Sequence, residues 1–171
     1  MNKNIRGFTI VELLIVIVVI AVLATISVVA YNGIQDRAKQ SKIDSDLALI
    51  MKAIHAARIN NDSTMIGLPT AGSVEGGCWS KASGTDLAAL PQSDTCWSAY
   101  ITAMATIATK SGMNVANIRD PWGRPYYINA NEGENQTTHL CMNDSIGVYR
   151  YPHVLGSVQI NKPVPLWSTT C

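Results

Sequence analysis

Charge is scarce in this chain. Only 15% of its 171 residues are Asp, Glu, Lys or Arg, and the formal net charge is +1. That balance gives no global electrostatic case for nucleic acid. Beyond Asn60, six basic residues face eight acidic ones, a net −2 and the wrong sign for a nucleic-acid footprint. A local patch of Arg119, Arg124 and Arg150 is the DNA-binding candidate that survives this average. Histidine is scarcer still, with only His55, His139 and His153. They form no His-x-x-x-His pair and no Ser/His/Asp arrangement at informative spacing, so an enzyme has no positive support. The four cysteines, Cys78, Cys96, Cys141 and Cys171, include no C-x₂₋₄-C pair, which disfavours the alternative of a structural zinc site. From Gly147 onward there is no Asp or Glu, whereas hard oxygen sites need carboxylates. Glu132, Glu134 and Asp144 match no specific calcium loop. Neither a metal nor a cofactor is expected.

What the chain does have is one long apolar run. From Leu13 to Tyr31 there is no charge, no Gly and no Pro. At about 1.5 Å per residue this run spans roughly 28 Å, close to the hydrocarbon thickness of a bilayer. Leu, Ile, Val and Ala line every side, and the rest of the chain is too small to bury such a helix easily. A membrane-spanning helix follows. Lys3 and Arg6 hold its N-terminal end in the cytoplasm by the positive-inside rule, although Arg37, Lys39 and Lys42 flank the other end. The cysteines break the tie. An even number in a small domain beyond the membrane points to an oxidising compartment, hence an exported head with two disulfides. Three connectivities are open, and sequence order favours Cys78–Cys96 with Cys141–Cys171. The anomaly is Glu12, an acid at the edge of an apolar helix. It is costly there unless it snorkels to the headgroups or meets a cation.

Arg6-Gly7-Phe8-Thr9-Ile10-Val11-Glu12-Leu13-Leu14-Ile15-Val16 resembles the N-terminal signature of type IV pilins and the type II secretion pseudopilins. The resemblance implies cleavage by a prepilin peptidase between Gly7 and Phe8, with N-methylation of the new N-terminal Phe8. Glu12 would be the fifth residue of the mature chain, whose carboxylate meets the N-terminal amine of a neighbouring subunit during assembly. Two isolated charges in an apolar bundle are each expensive, and a close pair offsets much of that cost. Members of this family often carry Pro-Ala-Tyr after the apolar run. Here Val29-Ala30-Tyr31 lacks the proline, so no kink is implied by it. Asp120-Pro121-Trp122-Gly123-Arg124-Pro125-Tyr126 resembles a segment found where the sheet begins in many pseudopilins and some pilins. Pro121 fixes a turn, Asp120 can accept from nearby amides, Gly123 relieves steric demand, and Trp122 is expected to bury against the spine.

The expected fold is α+β, with a long N-terminal helix packed on a small antiparallel sheet. Residues 1–7 are a leader, 8–31 the transmembrane and filament-core helix, 32–60 its amphipathic half, and 61–171 a globular head. Ala38, Ile43, Leu47, Ile50, Ile54 and Ala57 form the inward stripe, while Asp36, Lys39, Lys42, Asp44, Lys52 and Arg58 decorate the remainder. Asn60-Asn61-Asp62 ends the spine. Residues 67–96 read as loops with a short helical turn at 85–90. Trp79 and Trp97 cover the thiol region as packing. Ser93 or Asp94 caps a helix running to about Lys110, with Trp97, Ile101, Met104 and Ile107 or Ala108 inward. Strands are expected at 126–130, 137–142, 147–151 and 157–160, with turns at Asn131-Glu132-Gly133-Glu134 and Asn143-Asp144-Ser145. Lys162-Pro163-Val164-Pro165 is poorly suited to a central strand. A Cys141–Cys171 link would resemble the C-terminal disulfide-bounded region of many pilins.

The functional expectation is a structural pilus subunit. It would start as a single-pass precursor in the cytoplasmic membrane and end in an extracellular filament. Its partners would be other pilin subunits, the prepilin peptidase, the assembly machinery and the inner membrane. Adhesion, twitching motility and DNA uptake are the roles such a filament could serve. A type II secretion pseudopilin is the nearest alternative, and a membrane-anchored DNA-uptake receptor is another.

Overall fold

A computed structural model describes residues 8–65, 75–132 and 142–167. The chain divides into two units, residues 1–41 and 42–171. Helix α1, Ile10–Asn61, runs unbroken through Asn32-Gly33. In the first unit the side chains from Phe8 to Ser27 are all exposed. The apolar run therefore finds no partner there among the described residues.

In the second unit, α1 supplies Ile43, Leu47, Ile50, Ala53, Ile54 and Ala57 to the core at intervals of one to four residues, one face of a helix. Ala38, expected on this stripe, is exposed. At about 100° per residue it sits roughly 140° round the helix from Ile43. Arg58, expected among the solvent-facing charges, is fully buried. Its position four residues after Ile54 places it at the edge of the inward stripe. The helix ends at Asn61, and Asp62 adopts a left-handed φ of 48°.

A short helix α2, Glu75–Trp79, occupies part of the stretch expected to be loop. Gly76 and Gly77 argue against helix by propensity, but tertiary packing overrides it. A Cβ at Gly77 would lie 2.6 Å from the Thr95 carbonyl oxygen, so only glycine lets α2 come this close to the next helix. That approach brings Cys78 within 4.3 Å (Cα–Cα) of Cys96, and the two are joined in a disulfide. The thiols of this pair are thereby closed to zinc. Cys141 and Cys171 lie outside the described residues.

Helix α3, Thr95–Ser111, is capped by Asp94, whose side chain accepts from the Cys96 amide, and closes on Gly112 at φ 71°. Its buried face is Cys96, Trp97, Tyr100, Ala103, Met104 and Ile107. Ile101 is only half-buried, because Tyr100 and Ala103 take the inner line between Trp97 and Met104. Trp97 closes over this region and donates from Nε1 to the Leu87 carbonyl at 2.8 Å.

The described strands are β1 (Tyr126–Asn129), β2 (Ser145–Tyr149) and β3 (Val158–Pro163), in the order β1-β2-β3, all antiparallel. β1 pairs directly with β2, Ile128 opposite Ile146. The strand expected at 137–142 lies outside the described residues apart from Met142, which is not in a strand. β2 begins two residues earlier than expected, and Ser145 belongs to it, not to a turn. Gly147 is required in this ladder: a Cβ would meet the Ile160 carbonyl oxygen at 1.9 Å. Pro163 ends β3 at the sheet edge, opposite Ser145, where a missing donor costs least.

The polar anchors of the head are buried. Arg58 hydrogen-bonds the Asp144 carboxylate through Nη2 and the Pro165 carbonyl at 2.7 Å, with Glu132 at 3.4 Å. Asp144 also accepts from the Glu132 amide at 2.8 Å, and its carbonyl accepts from the Val164 amide. Glu132 accepts the Trp167 amide at 2.8 and 2.9 Å. Asp144 and Glu132, expected in turns, are therefore core residues, because each satisfies a charge or amide that the fold has taken from water. Burial holds the Asp144 carboxyl above the usual carboxylate range despite its arginine. Tyr126 Oη donates to Asp46 at 2.6 Å and Lys162 pairs with Asp44 at 3.0 Å, further tying the sheet to α1.

Removing one member of a buried charged set strands the others. Arg58→Met should cost about 3–5 kcal/mol, read by urea unfolding of the full chain in micelles; a cost under about 1 kcal/mol would show the set contributes no more than a surface pair. A second expectation concerns His153, which is buried with Nε2 3.1 Å from the Lys81 carbonyl and Nδ1 without a partner among the described residues. Burial depresses its pKa below 6.5, and Arg124 acts in the same direction. The stability it contributes is thus present above pH 6.5 and lost as pH falls through the lower folded value. Acidification should destabilise the wild type more than His153→Gln, and the imidazole should titrate below 6.5 by NMR.

Candidate functional site

The site begins where the apolar helix begins. Thr9 precedes the first residue of α1 and acts as its N-cap. Its Oγ1 accepts from the Glu12 amide at 3.2 Å. Glu12 answers in reverse: Oε2 accepts from the Thr9 amide at 2.8 Å and from its hydroxyl at 2.7 Å. This is a reciprocal capping box, Thr-x-x-Glu, which satisfies two orphan amides at the helix start. It also places an acid in the first turn, where the helix dipole favours it. In the single chain the carboxylate thus has local partners from Thr9, and no cation pairs with it among the described residues. Phe8, at the entrance, is 82% exposed, and Gly7 lies outside the described residues.

The motif reading of the sequence does not single out Thr9 as a functional residue, although the Thr-x-x-Glu spacing before an apolar run carries the signal. Beyond it, α1 is by length and composition apolar enough to cross a membrane, and its most apolar stretch is not buried.

In the head, the Asp120–Tyr126 block forms a tight structural turn. Asp120 Oδ1 accepts from the Trp122 and Arg124 amides at 2.9 and 2.8 Å, and Gly123 has φ 78°. Pro121 stands between Asp120 and those amides. Arg124 is buried; its Nε and Nη2 bond Asp120 Oδ2, and Nη1 and Nη2 also donate to the carbonyls of Arg150 and Tyr149. Desolvation raises the Asp120 pKa even so. Trp122, expected to bury against the spine, packs at the border of the core. It is half-buried and stacked on Tyr151 at 5.1 Å, with the Arg124 guanidinium beside both rings.

These contacts remove the arginine patch. Arg124 is consumed internally, and the Arg119 guanidinium lies 4.2 Å from the Trp97 ring centre. Only Arg150 of the three is exposed. Among the described residues no group of three or more His, Cys, Asp or Glu is placed to hold a metal. A recess of about 130 Å³ lies between residues 84–87 and Arg124, Tyr151, Pro152 and His153. His55 sits half-buried on α1, and His139 lies outside the described residues.

A long helix with an apolar stretch exposed from Phe8 to Ser27, a capped acid at its start and a small antiparallel sheet packed with its later turns define a pilin-like α+β fold. Residues 2–28 match the model described as the prokaryotic N-terminal methylation motif. The chain is also 32% identical over 82 residues to the type IV narrow pilus major component PilA5 of Thermus thermophilus. That alignment covers 45% of this chain and 71% of the relative. No solved structure matches the chain. The chain belongs to the type IV pilin and pseudopilin superfamily.

The capping box should be measurable. Thr9→Val should weaken the first turn of α1 by about 1 kcal/mol. Hydrogen exchange in micelles would then show faster loss of protection at residues 10–13 with the head unaffected. Unchanged exchange there would remove the box as a stabilising element.

Proposed function

We propose that this chain is a structural subunit of a type IV pilus. A prepilin peptidase removes residues 1–7 by cutting between Gly7 and Phe8, and Phe8 is N-methylated. The precursor sits in the cytoplasmic membrane through residues 8–31, its head on the outer side, where the Cys78–Cys96 disulfide persists. Assembly machinery then draws the mature chain into a filament whose core is the apolar part of α1, with 32–60 continuing as the spine and 61–171 forming the head.

The observation that carries this reading is the exposure of every apolar side chain described from Phe8 to Ser27. Lipid covers such a surface in the precursor, and neighbouring copies of the same helix cover it in a filament. In the filament Glu12 exchanges its Thr9 hydrogen bonds for the N-terminal amine of an adjacent subunit. A requirement for that pairing sets register, because an unpaired charge among packed apolar helices is expensive. Adhesion, twitching motility and DNA uptake are the roles open to the filament. The absence of an exposed arginine patch among the described residues argues against a DNA-uptake receptor built on the head.

A pseudopilin of a type II secretion system is the second reading, supported by the Asp120–Tyr126 turn that such proteins share. The length of surface filaments, with mass spectrometry of their modified N-terminus, separates the two. Glu12→Gln should insert in the membrane normally and enter filaments poorly, at least about tenfold below wild type. Wild-type incorporation of that variant would exclude the pairing.

A further inference from the structure

Six large apolar side chains of the second unit are markedly exposed among the described residues: Leu49, Ile59, Met142, Tyr151, Val154 and Leu155. They are not scattered. Three fall within residues 151–155, and two lie on one stripe of α1.

The 151–155 loop is held firmly. The His153 carbonyl accepts from the Gly84 amide at 2.8 Å, and the Leu155 amide donates to Ser83 Oγ at 3.0 Å. The Gly156 amide donates to the Trp79 carbonyl, and Arg124 holds the Arg150 carbonyl. Tyr151 is backed by Trp122. An apolar loop pinned in this way loses little entropy on binding, the property of an interface anchor. Asp86 borders it across the recess, exposed and with no salt bridge among the described residues.

On α1, Leu49, Lys52, Ala56 and Ile59 follow at three- and four-residue steps, which makes one stripe. It lies on the side away from the buried line through Ile43, Leu47, Ile50 and Ile54. Leu49, Lys52 and Ile59 are exposed and Ala56 half-buried. Lys52 also has no salt bridge among the described residues. One patch is thus apolar with an acid at its border, and the other apolar with a base at its centre, neither in a salt bridge among the described residues.

We infer that the Tyr151–Leu155 loop of one head docks on the Leu49–Ile59 stripe of α1 in a second copy of this chain, with Asp86 facing Lys52. The two patches differ, so the contact is heterologous. Each copy that uses its loop leaves its stripe free for another, and the series stays open, as a filament requires and a closed dimer does not. The helices bring heads together at high effective concentration, so a modest contact suffices. This inference rests on the filament reading and names a head contact within it.

The test uses the full chain in cells that assemble it, scored by filament yield and by cross-linking. Lys52→Glu should lower yield about threefold and Asp86→Lys likewise, the scale of one exposed charge pair. The combined swap should recover most of the loss. Because Asp86 also accepts from the Ala88 amide, its replacement could disturb the local turn. Leu155→Cys with Ile59→Cys gives an independent readout, expected to cross-link subunits into ladders. Wild-type filaments with no rescue by the swap and no ladder would overturn the contact and leave the filament reading standing. Absence of filaments from the wild-type chain would overturn both.

Discussion

The head depends on the burial of Arg58. A guanidinium at the inner edge of α1 must be neutralised and hydrogen-bonded once water is excluded. It draws in Asp144 from the start of β2, Glu132 from beyond β1, and the Pro165 carbonyl from the segment after β3. Three parts of the chain far apart in sequence are thereby fixed to one turn of the spine. Hydrophobic packing around Leu47, Ile50 and Ile54 supplies most of the driving force. It is non-directional, however, and the charged set specifies where the sheet and the C-terminal segment meet the helix. Asp120 with Arg124 does the same for the turn that leads into β1.

The two halves of α1 solve different problems. The second half has a buried stripe and an outer face that carries charge. The first is apolar on every side from Leu13 onward and exposed at every described side chain from Phe8 to Ser27. No described residue covers it, which is why lipid and then like helices are the proposed surroundings. Glu12 sits at the start of that surface, already holding Thr9. The capping box gives the carboxylate a resting partner before any neighbour arrives. Exchange of a local hydrogen bond for an intermolecular ion pair is a smaller step than exposure of a bare charge in an apolar medium.

The sequence alone determined the long helix, its long apolar run, a helix capped at Ser93 or Asp94, and the Asp120–Gly123 turn; the structure chose Asp94 as the cap and Gly112 as the stop. Each rests on local signals: period, capping chemistry and turn residues. The Thr9–Glu12 box is equally local and legible from its spacing. Only the tertiary structure decided the inward role of Arg58, Asp144 and Glu132, since charged residues are ordinarily solvated and their partners lie far along the chain. It also decided that Ala38 faces out, that Trp122 stacks on Tyr151, that β1 pairs directly with β2, and that Gly77 in α2 permits the approach joining Cys78 to Cys96. These are long-range contacts. Their energies depend on what water has left behind, which no window along the chain reports.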